Sequence, residues 1–475
     1  MPHDKERKNL LGHRGLISDD DIKARLRSLD VGPSMDVPDK DELGGIDISE
    51  IGDFAEPPKQ VVAVDGSRSE NPIDAERINA KVGFIEVAVV TVNTSLLRKY
   101  RGNGNRFVPP TIEDDSVDAE YVRMVLPSQN AYFNDEAPKP VGFRRMLYEN
   151  FRDKTVRGRS LLDFLSELFH YLGDVNKDNT ITIENCPYRE HSDCQSEHRV
   201  PIDGVGQCSN TQANLPLFPT DRLRIHEYVS NRSSNLSAMT VVMKTIEHFA
   251  LGLAIDDAAN ATEDTPDLSE MAFMKDGPLA QFDTAAWISR GMSNYLYSLR
   301  SDGSTPVVIG LDKSGEFTRF AEQIRDRTDS DGDQILNPNS VVPLPSRFIY
   351  DHIKPRSSDT MFGQKTYYGK SFLYKSPSDY TFCLTIGPRA FSDGATNGVE
   401  ANESHSNLQY DPSAYPTLGP AIAALFDSEY SLLKDSVIPI HMAHDRATIP
   451  RQVGDKVLSE LVDRELVGAD RIYGE

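Results

Sequence analysis

Two carboxylates stand where apolar, strand-like runs give out. "QVVAVDGS" (60–67) carries Val61, Val62, Ala63 and Val64 into Asp65, and "MAFMKDGP" (271–278) carries a similar run into Asp276. The chain holds six Asp-Gly pairs, at Asp65, Asp203, Asp276, Asp302, Asp331 and Asp393, and such a pair is by itself a turn signal. Those at 65 and 276 follow an apolar run directly, which places an acid at the C-terminal end of a strand, the edge of an open α/β sheet where ligands sit. Acids fixed on neighbouring strand ends supply the oxygen ligands that hard divalent cations take, and a cation so held activates water for phosphodiester hydrolysis. A third acid, Glu247, lies in "TVVMKTIEHFALGLAI" upstream of the second run, among Met243, Phe249, Leu251 and Ala254. On the inward face of that helix it needs a partner charge or a cation; on the wet face it sits beside Lys244.

Other clusters offer different chemistry. "CPYREHSDCQSEHRVPIDGVGQC" (186–208) gathers Cys186, His191, Cys194, His198 and Cys208. A structural zinc on Cys186, His191, Cys194 and Cys208 has enough ligands there, although the spacing is not a paired CxxC; reduced cysteines packed in a loop are the plainer reading. "GDVNKDNTI" (173–181) and "DSDGDQI" (329–335) place oxygens at alternate positions like a calcium loop, but Asn185 and Ser340 stand where the closing Glu belongs, so both read as solvated turns. "RKYRGNGNR" (98–106), with Arg98, Lys99, Arg101 and Arg106, and "KTYYGKSFLYK" (365–375), with lysines between aromatics, are a candidate nucleic-acid path or, for the second, a strand with one packed aromatic face. No G-x-x-x-x-G-K-[ST] occurs, so any motor must come from a partner.

The elements that must position these residues alternate between strand and helix periods, which indicates an α/β fold. Strands are expected at 61–64 and 82–93 in a hairpin-like arrangement, then at 271–279 and 305–315, and in "SFLYKS" and "YTFCLTIG". Helices are expected in "GFRRMLYENF", "GRSLLDFLSELFHYLG", "NLSAMTVVMKTIEHFALGLAIDDAAN" and "FIYDHI", with a final pair in "AYPTLGPAIAALFDSEYSLLK" and "IPRQVGDKVLSELVDREL". Residues 1–58 read as a polar N-terminal extension ahead of a domain at 59–475. The stretch 97–140 reads as loop-rich, and 173–220 as an inserted segment carrying three cysteines.

At 475 residues, 38% hydrophobic and 26% charged, the chain is large enough for a substantial core. Four cysteines are too few for a disulfide framework at this size, and no apolar run reaches the roughly 18 residues of a membrane span, so a cytoplasmic protein with no membrane association is expected. A net charge of −22 excludes a broad basic coat for nucleic acid but not a local basic channel.

"AVDGS", a glutamate on a long helix, "DGPL" (276–279) closing a strand soon after it, and the terminal "IPIHMAHDRATIP" (438–450) together resemble the NurA nucleases. "VVIGLDKSG", "LPSRFIYDHI" and "KTYYGKSFLYK" are similar to later segments of that family, and the resemblance runs from about residue 58 to 465. It implies an RNase H-like mixed sheet flanked by helices, with the loop-rich segment inserted. It further implies a metal-dependent DNA nuclease, a 5′-3′ exonuclease with some endonuclease activity, acting in DNA end processing or phage defence. The family works as a homodimer with a HerA-type hexameric ATPase. Carried over by position, Asp65, Glu247 and Asp276 become catalytic ligands of one or two Mn²⁺ or Mg²⁺ ions. His444, not His441, becomes the histidine beside them, as ligand and catalytic group. Lys313, Tyr350, Lys365, Tyr368 and Lys370 become nucleic-acid-binding residues. The separation of 182 positions from Asp65 to Glu247 exceeds the family spacing, which keeps Glu227 in "DRLRIHEYVS" open as the third acid. The alternative is a non-catalytic NurA-like scaffold that binds the ATPase or DNA, with the acids serving as turn residues.

Overall fold

The computed structural model describes residues 17–29, 37–51, 57–73, 79–102, 117–131, 140–188, 194, 197–208, 215–230, 233–260, 268–301, 305–355, 362–387, 416–429, 436–449, 453–462 and 464–465. The chain divides into two compact units, Met1–Val37 and Pro38–Glu475. The described part of the first is one short helix, α1 (Asp20–Arg27), capped by Asp19, whose carboxylate accepts from the Asp21 and Ile22 amides; it buries no residue.

The larger unit is built in chain order from α2 (Lys40–Leu43), β1 (Ile46–Asp47), β2 (Gln60–Pro72), β3 (Lys81–Asn93), α3 (Thr94–Gly102), β4 (Val117–Pro127) and α4 (Pro140–Asp153). A tight hairpin of β5 (Thr155–Val156) and β6 (Arg159–Ser160) leads to α5 (Leu161–Leu172). The short strands β7 (Thr180–Ile183), β8 (His198–Pro201), β9 (Gly206–Gln207) and β10 (Pro216–Leu217) precede α6 (Leu236–Ala259). Then follow β11 (Met271–Asp276), α7 (Trp287–Ser301), β12 (Val307–Asp312), α8 (Glu316–Arg325), β13 (Ser340–Pro343), α9 (Ser346–His352), β14 (Lys370–Lys375), β15 (Thr381–Gly387), α10 (Leu418–Ser428), α11 (Ile438–Ala447) and α12 (Val453–Val462).

Nine strands form one mixed sheet in the order β1-β13-β14-β15-β12-β11-β2-β3-β4. β2 pairs in parallel with β11, and β11 in parallel with β12; β3 runs antiparallel to both β2 and β4. The five strands β4-β3-β2-β11-β12 thus lie in the order third, second, first, fourth, fifth, with the second alone reversed, which is the RNase H-like arrangement. Alternation along the central strands sends successive side chains to opposite faces. Val62, Val64, Val87, Val89 and Phe273 pack under α4, α5, α6 and α7. Val61, Ala63, Ala88, Val90, Ala272 and Met274 pack under α3, α10 and α11. Covered on both faces, these strands read as continuous apolar runs, which is why they were legible.

Three expectations need correction. The stretch at 97–140 is not loop throughout: β4 completes the sheet edge beside β3, and its Val122, Met124 and Leu126 are buried, alternating with exposed residues. The chain joins the fold before residue 59, because Ile46 and Asp47 pair with β13 and Ile48 is buried. Between the two final helices lies a third, α11. Among the described residues, α6 is long and apolar enough to cross a membrane, but 89% of its most apolar window is buried inside the protein. Every residue from Thr245 to Ile255 is buried, so α6 is the core helix of one face.

Candidate metal centre

The strands position the acids through their pleat and their register. Pairing between β2 and β11 ends at Val64 and Lys275, so Asp65 and Asp276 come side by side where the two parallel strands stop sharing hydrogen bonds. By alternation Asp65 follows Ala63 and Asp276 follows Met274, both on the α10–α11 face. The two Asp-Gly pairs differ in kind. Gly277 takes φ +84°, a left-handed turn that L side chains rarely adopt. Asp65 and Gly66 stay inside β2, paired with Ala88 and Val87, so the first acid does not end its strand; it stands where the strand loses its parallel neighbour.

α11 delivers the histidine. Packed across β2 and β3, it places His444 Nδ1 2.7 Å from Asp65 Oδ2. The Ser67 hydroxyl donates to the Ala447 carbonyl and the Ile449 amide donates to Ser67 Oγ at 3.1 Å, which fixes the end of that helix on the strand. Asp65 Oδ1 accepts from the Gly66 amide at 2.7 Å. Lys313, just past β12, donates from Nζ to Asp276 Oδ2 at 3.0 Å. Donor atoms of Asp65, Asp276 and His444 all lie within 4.8 Å of one another. Burial, and then the negative charge of Asp276, hold the Asp65 carboxyl above its ordinary range, against the opposing pull of Lys313 and His444. His441 points to a different role: it pairs with Asp445 at 3.3 Å on the exposed side of the helix.

Glu247 occupies the opposite face. α6 presses its carboxylate against Gly66: a Cβ there would lie 2.9 Å from Glu247 Oε1 and 2.9 Å from Met243 Cγ. Its partner is Lys275, whose Nζ sits 2.7 Å from Glu247 Oε2 and donates to the Asp276 carbonyl at 2.7 Å. Lys275 follows Phe273 onto the α6 face. Burial pushes the Glu247 carboxyl up to about 7, opposed by Lys275 and assisted by the charges of Asp65 and Asp276. Glu247 is therefore beside the acids electrostatically, but its carboxylate is engaged by a lysine and it is not in the donor cluster. Glu227 is a surface residue whose carboxylate accepts from Arg224 at 2.6 and 2.8 Å. Next to Glu247, His248 is buried, with Nδ1 2.7 Å from the Tyr368 hydroxyl and Nε2 3.1 Å from the Ala280 carbonyl. Burial holds its imidazole well below its ordinary value, so the neutral ring donates from Nε2 and accepts at Nδ1.

The remaining expected residues separate. Tyr368 is fully buried in that contact with His248, which removes it as a stacking platform for bases. The rest of "KTYYGKSFLYK" is mostly a packed strand: Phe372 and Tyr374 are buried, and Lys375 pairs with Asp379 at 3.0 Å and donates to the Arg325 carbonyl at 2.8 Å. Lys365 is exposed; Lys370 and Tyr350 are half-buried. In the other basic stretch Arg98 pairs with Asp427 at 2.6 Å, and the side chains at 99–106 lie outside the described residues. Asp329 Oδ1 accepts from the Asp331 and Asp333 amides at 3.0 and 2.9 Å, an internally satisfied turn. Within the insertion His191 lies outside the described residues; among the described residues His198 joins Cys186, Cys194 and Cys208. Two partners escaped the sequence reading. Lys275 shows no signal there beyond being a charge inside an apolar run. Asp312 ends β12 in "GLDKSG" as Asp276 ends β11, and burial and the charge of Asp276 hold its carboxyl up.

No family model matches the sequence, and no curated protein is significantly similar to it. The crystal structure of the NurA nuclease from Sulfolobus solfataricus is similar over 100% of this chain and 99% of that one, at 9% identity and a TM-score of 0.35. Similarity at that level assigns no role to any residue.

Proposed function

We propose that this chain is a metal-dependent phosphodiester hydrolase acting on DNA, with Asp65, Asp276 and His444 as its cation-binding residues. The observation that carries the reading is the convergence of their donor atoms within 4.8 Å, where the parallel pairing of β2 and β11 stops and α11 packs across it. The donor set fits the ion: two carboxylates suit Mg²⁺ or Mn²⁺, and the imidazole favours the softer manganese. Held by Asp65, Asp276 and His444, such a cation would supply an activated water and neutralise charge at the scissile phosphate. The chain's own groups do the positioning. β2 and β11 fix the carboxylates on rigid backbone, α11 seats the imidazole against Asp65, and Lys313 holds an ammonium beside Asp276, where a phosphate oxygen is a natural partner. Glu247, paired with Lys275, supports the strand ends from behind.

The order of motifs resembling NurA nucleases favours DNA as substrate, exonuclease and endonuclease action in end processing or phage defence, a homodimer, and a HerA-type ATPase as the motor this chain lacks. The test is cleavage of a linear end-labelled duplex with Mn²⁺, Mg²⁺ or EDTA, with and without a HerA-type ATPase. Wild type should cut only with metal, and Asp65→Asn and Asp276→Asn should each lose more than about 100-fold, several kcal/mol of transition-state stabilisation, while unfolding at an unchanged denaturant midpoint or a higher one. A folded wild-type protein that cuts under no condition would replace this reading with the non-catalytic scaffold.

A further inference from the structure

We propose that Cys186, Cys194, His198 and Cys208 form a structural zinc site that staples the insertion together. The four side chains come from separate pieces of chain: Cys186 just after β7, Cys194 from the connection between β7 and β8, His198 from the first position of β8, and Cys208 just after β9. The antiparallel pairing of Ile183 with His198 brings the histidine back beside Cys186. Sγ of Cys208 lies 3.7 Å from Sγ of Cys186 and 3.4 Å from Sγ of Cys194, and His198 Nε2 lies 3.3 Å from Cys194 Sγ and 3.7 Å from Cys208 Sγ. With zinc–sulfur bonds of about 2.3 Å and zinc–nitrogen bonds of about 2.0 Å, the edges of a coordination tetrahedron are about 3.8 Å between sulfurs and about 3.5 Å between sulfur and nitrogen. The observed separations match those edges. They exclude a disulfide, whose sulfurs stand about 2.05 Å apart.

The surroundings are those of a closed structural site. Cys186, His198 and Cys208 are buried and Cys194 is half-buried, and four protein ligands complete a tetrahedral shell. The Tyr188 amide donates to Cys186 Sγ at 3.4 Å, the kind of outer contact that orients a thiolate ligand. The hairpins concerned have four-residue and two-residue strands, too little structure to stand alone in water. A metal cross-link joins β7, β8 and β9 into one unit. β10, the antiparallel partner of β9, and the turn after it are tied to α4 by the buried Arg144, which donates to the Pro216 carbonyl at 2.9 Å and to Asp221 at 2.7 Å. Each thiol loses its proton to solvent as the metal binds; the site carries no redox step.

The experiment measures metal content in full-length protein purified without chelators. Wild type should hold about one zinc per chain, as a four-ligand site requires. Asp65→Asn and Asp276→Asn should hold the same, which separates this site from the acid cluster. Cys208→Ser and His198→Ala should hold almost none, His198→Cys should keep it through a four-thiolate set, and His191→Ala should be indistinguishable from wild type. Cobalt added to stripped protein should give the visible d–d bands of tetrahedral thiolate coordination, and stripping should lower the melting temperature in a way that zinc but not magnesium restores. Protein that carries no zinc and takes up neither zinc nor cobalt with its thiols reduced would overturn the proposal. So would zinc retained in folded Cys208→Ser, or zinc lost from His191→Ala while His198→Ala keeps it. Should Cys208→Ser and His198→Ala fail to fold, the cobalt spectrum and His198→Cys decide.

Discussion

The two faces of the sheet meet at the same strand ends and carry opposite kinds of polar network. On the α11 face, Asp65, Asp276, His444 and Lys313 form an open cluster in which the histidine side chain is 51% exposed. On the α6 face, Glu247 and Lys275 are 4% and 5% exposed, with His248 and Tyr368 sealed behind them. A single residue step along β11, from Lys275 to Asp276, moves from one network to the other. The open cluster brings two carboxylates together beside a partly exposed histidine and lysine; the sealed one pairs a single carboxylate with a single ammonium out of contact with water. Like charges held close on a rigid frame are a cost that a ligand removes, whereas a buried ion pair fixes one arrangement of helix against strand.

The sharpest way to break this contrast is to unbalance the sealed side. Lys275→Met should destabilise the protein by about 3–5 kcal/mol at pH 8, the usual cost of leaving one member of a buried pair without its partner. Urea unfolding followed by far-UV circular dichroism measures it. At pH 6 the loss should be smaller, because Glu247 can then take a proton. Adding Glu247→Leu should recover most of the loss, since an apolar pair of similar volume replaces a buried ion pair at little cost. A loss under about 1 kcal/mol for Lys275→Met at pH 8 would mean that the α6 face is wetter than its burial indicates.

The same pair sets a pH dependence with a definite sign. Burial raises the Glu247 carboxyl from 4.5 to about 7, so between those values the folded state binds more protons than the unfolded one and stability falls as pH rises. The contribution is fully present below about pH 4.5 and gone above about pH 7, amounting to about 3 kcal/mol across the window. Glu247→Gln should remove that slope: the difference in unfolding free energy between variant and wild type should shift in the variant's favour by about that amount from pH 4.5 to 7.5. A difference independent of pH would show that Lys275 keeps Glu247 ionised throughout.

How far the sequence reached follows from the same geometry. Asp65 and Asp276 were legible because their strands are buried on both faces and an acid followed by glycine at the close of an apolar run stands out. The role of Glu247 was not, because helical spacing shows that a residue is inward but not which sheet face its helix covers. Only that choice, with strand parity, pairs it with Lys275 rather than with the two aspartates. His444 came from the likeness of "IPIHMAHDRATIP" alone, since a short helix with two histidines carries no periodic signal to choose between them. β4 was hidden because "VDAEYVRMVLP" alternates polar and apolar as an edge strand does, inside a polar neighbourhood. His198 was passed over for a similar reason: the β7–β8 register that returns it to Cys186 is a tertiary fact. Tyr368 looked like a stacking aromatic because its lysine neighbours are on the surface, while its own side of the turn faces α6.

Gly66 is the hinge between the two networks, and replacing it gives the smallest effect and the finest discrimination. Its backbone is ordinary strand, so an alanine there would by itself reduce the entropy of the unfolded chain and stabilise slightly. Against that, the added Cβ would meet Glu247 Oε1 and Met243 Cγ at 2.9 Å and Val87 Cγ2 at 3.0 Å. All three belong to buried or half-buried side chains held by α6 and β3, so relief requires the helix to back away from the strand. Gly66→Ala should therefore cost about 1–3 kcal/mol in urea unfolding, the range for an overpacked core. The displacement falls on the α6 side, leaving Asp65 and His444 on their own face, so metal-dependent cleavage by the folded variant should drop by less than about 10-fold. A variant as stable as wild type that loses cleavage as severely as Asp65→Asn would reverse the assignment: Glu247, freed from contact with Gly66, would then belong to the reacting centre and not to its support.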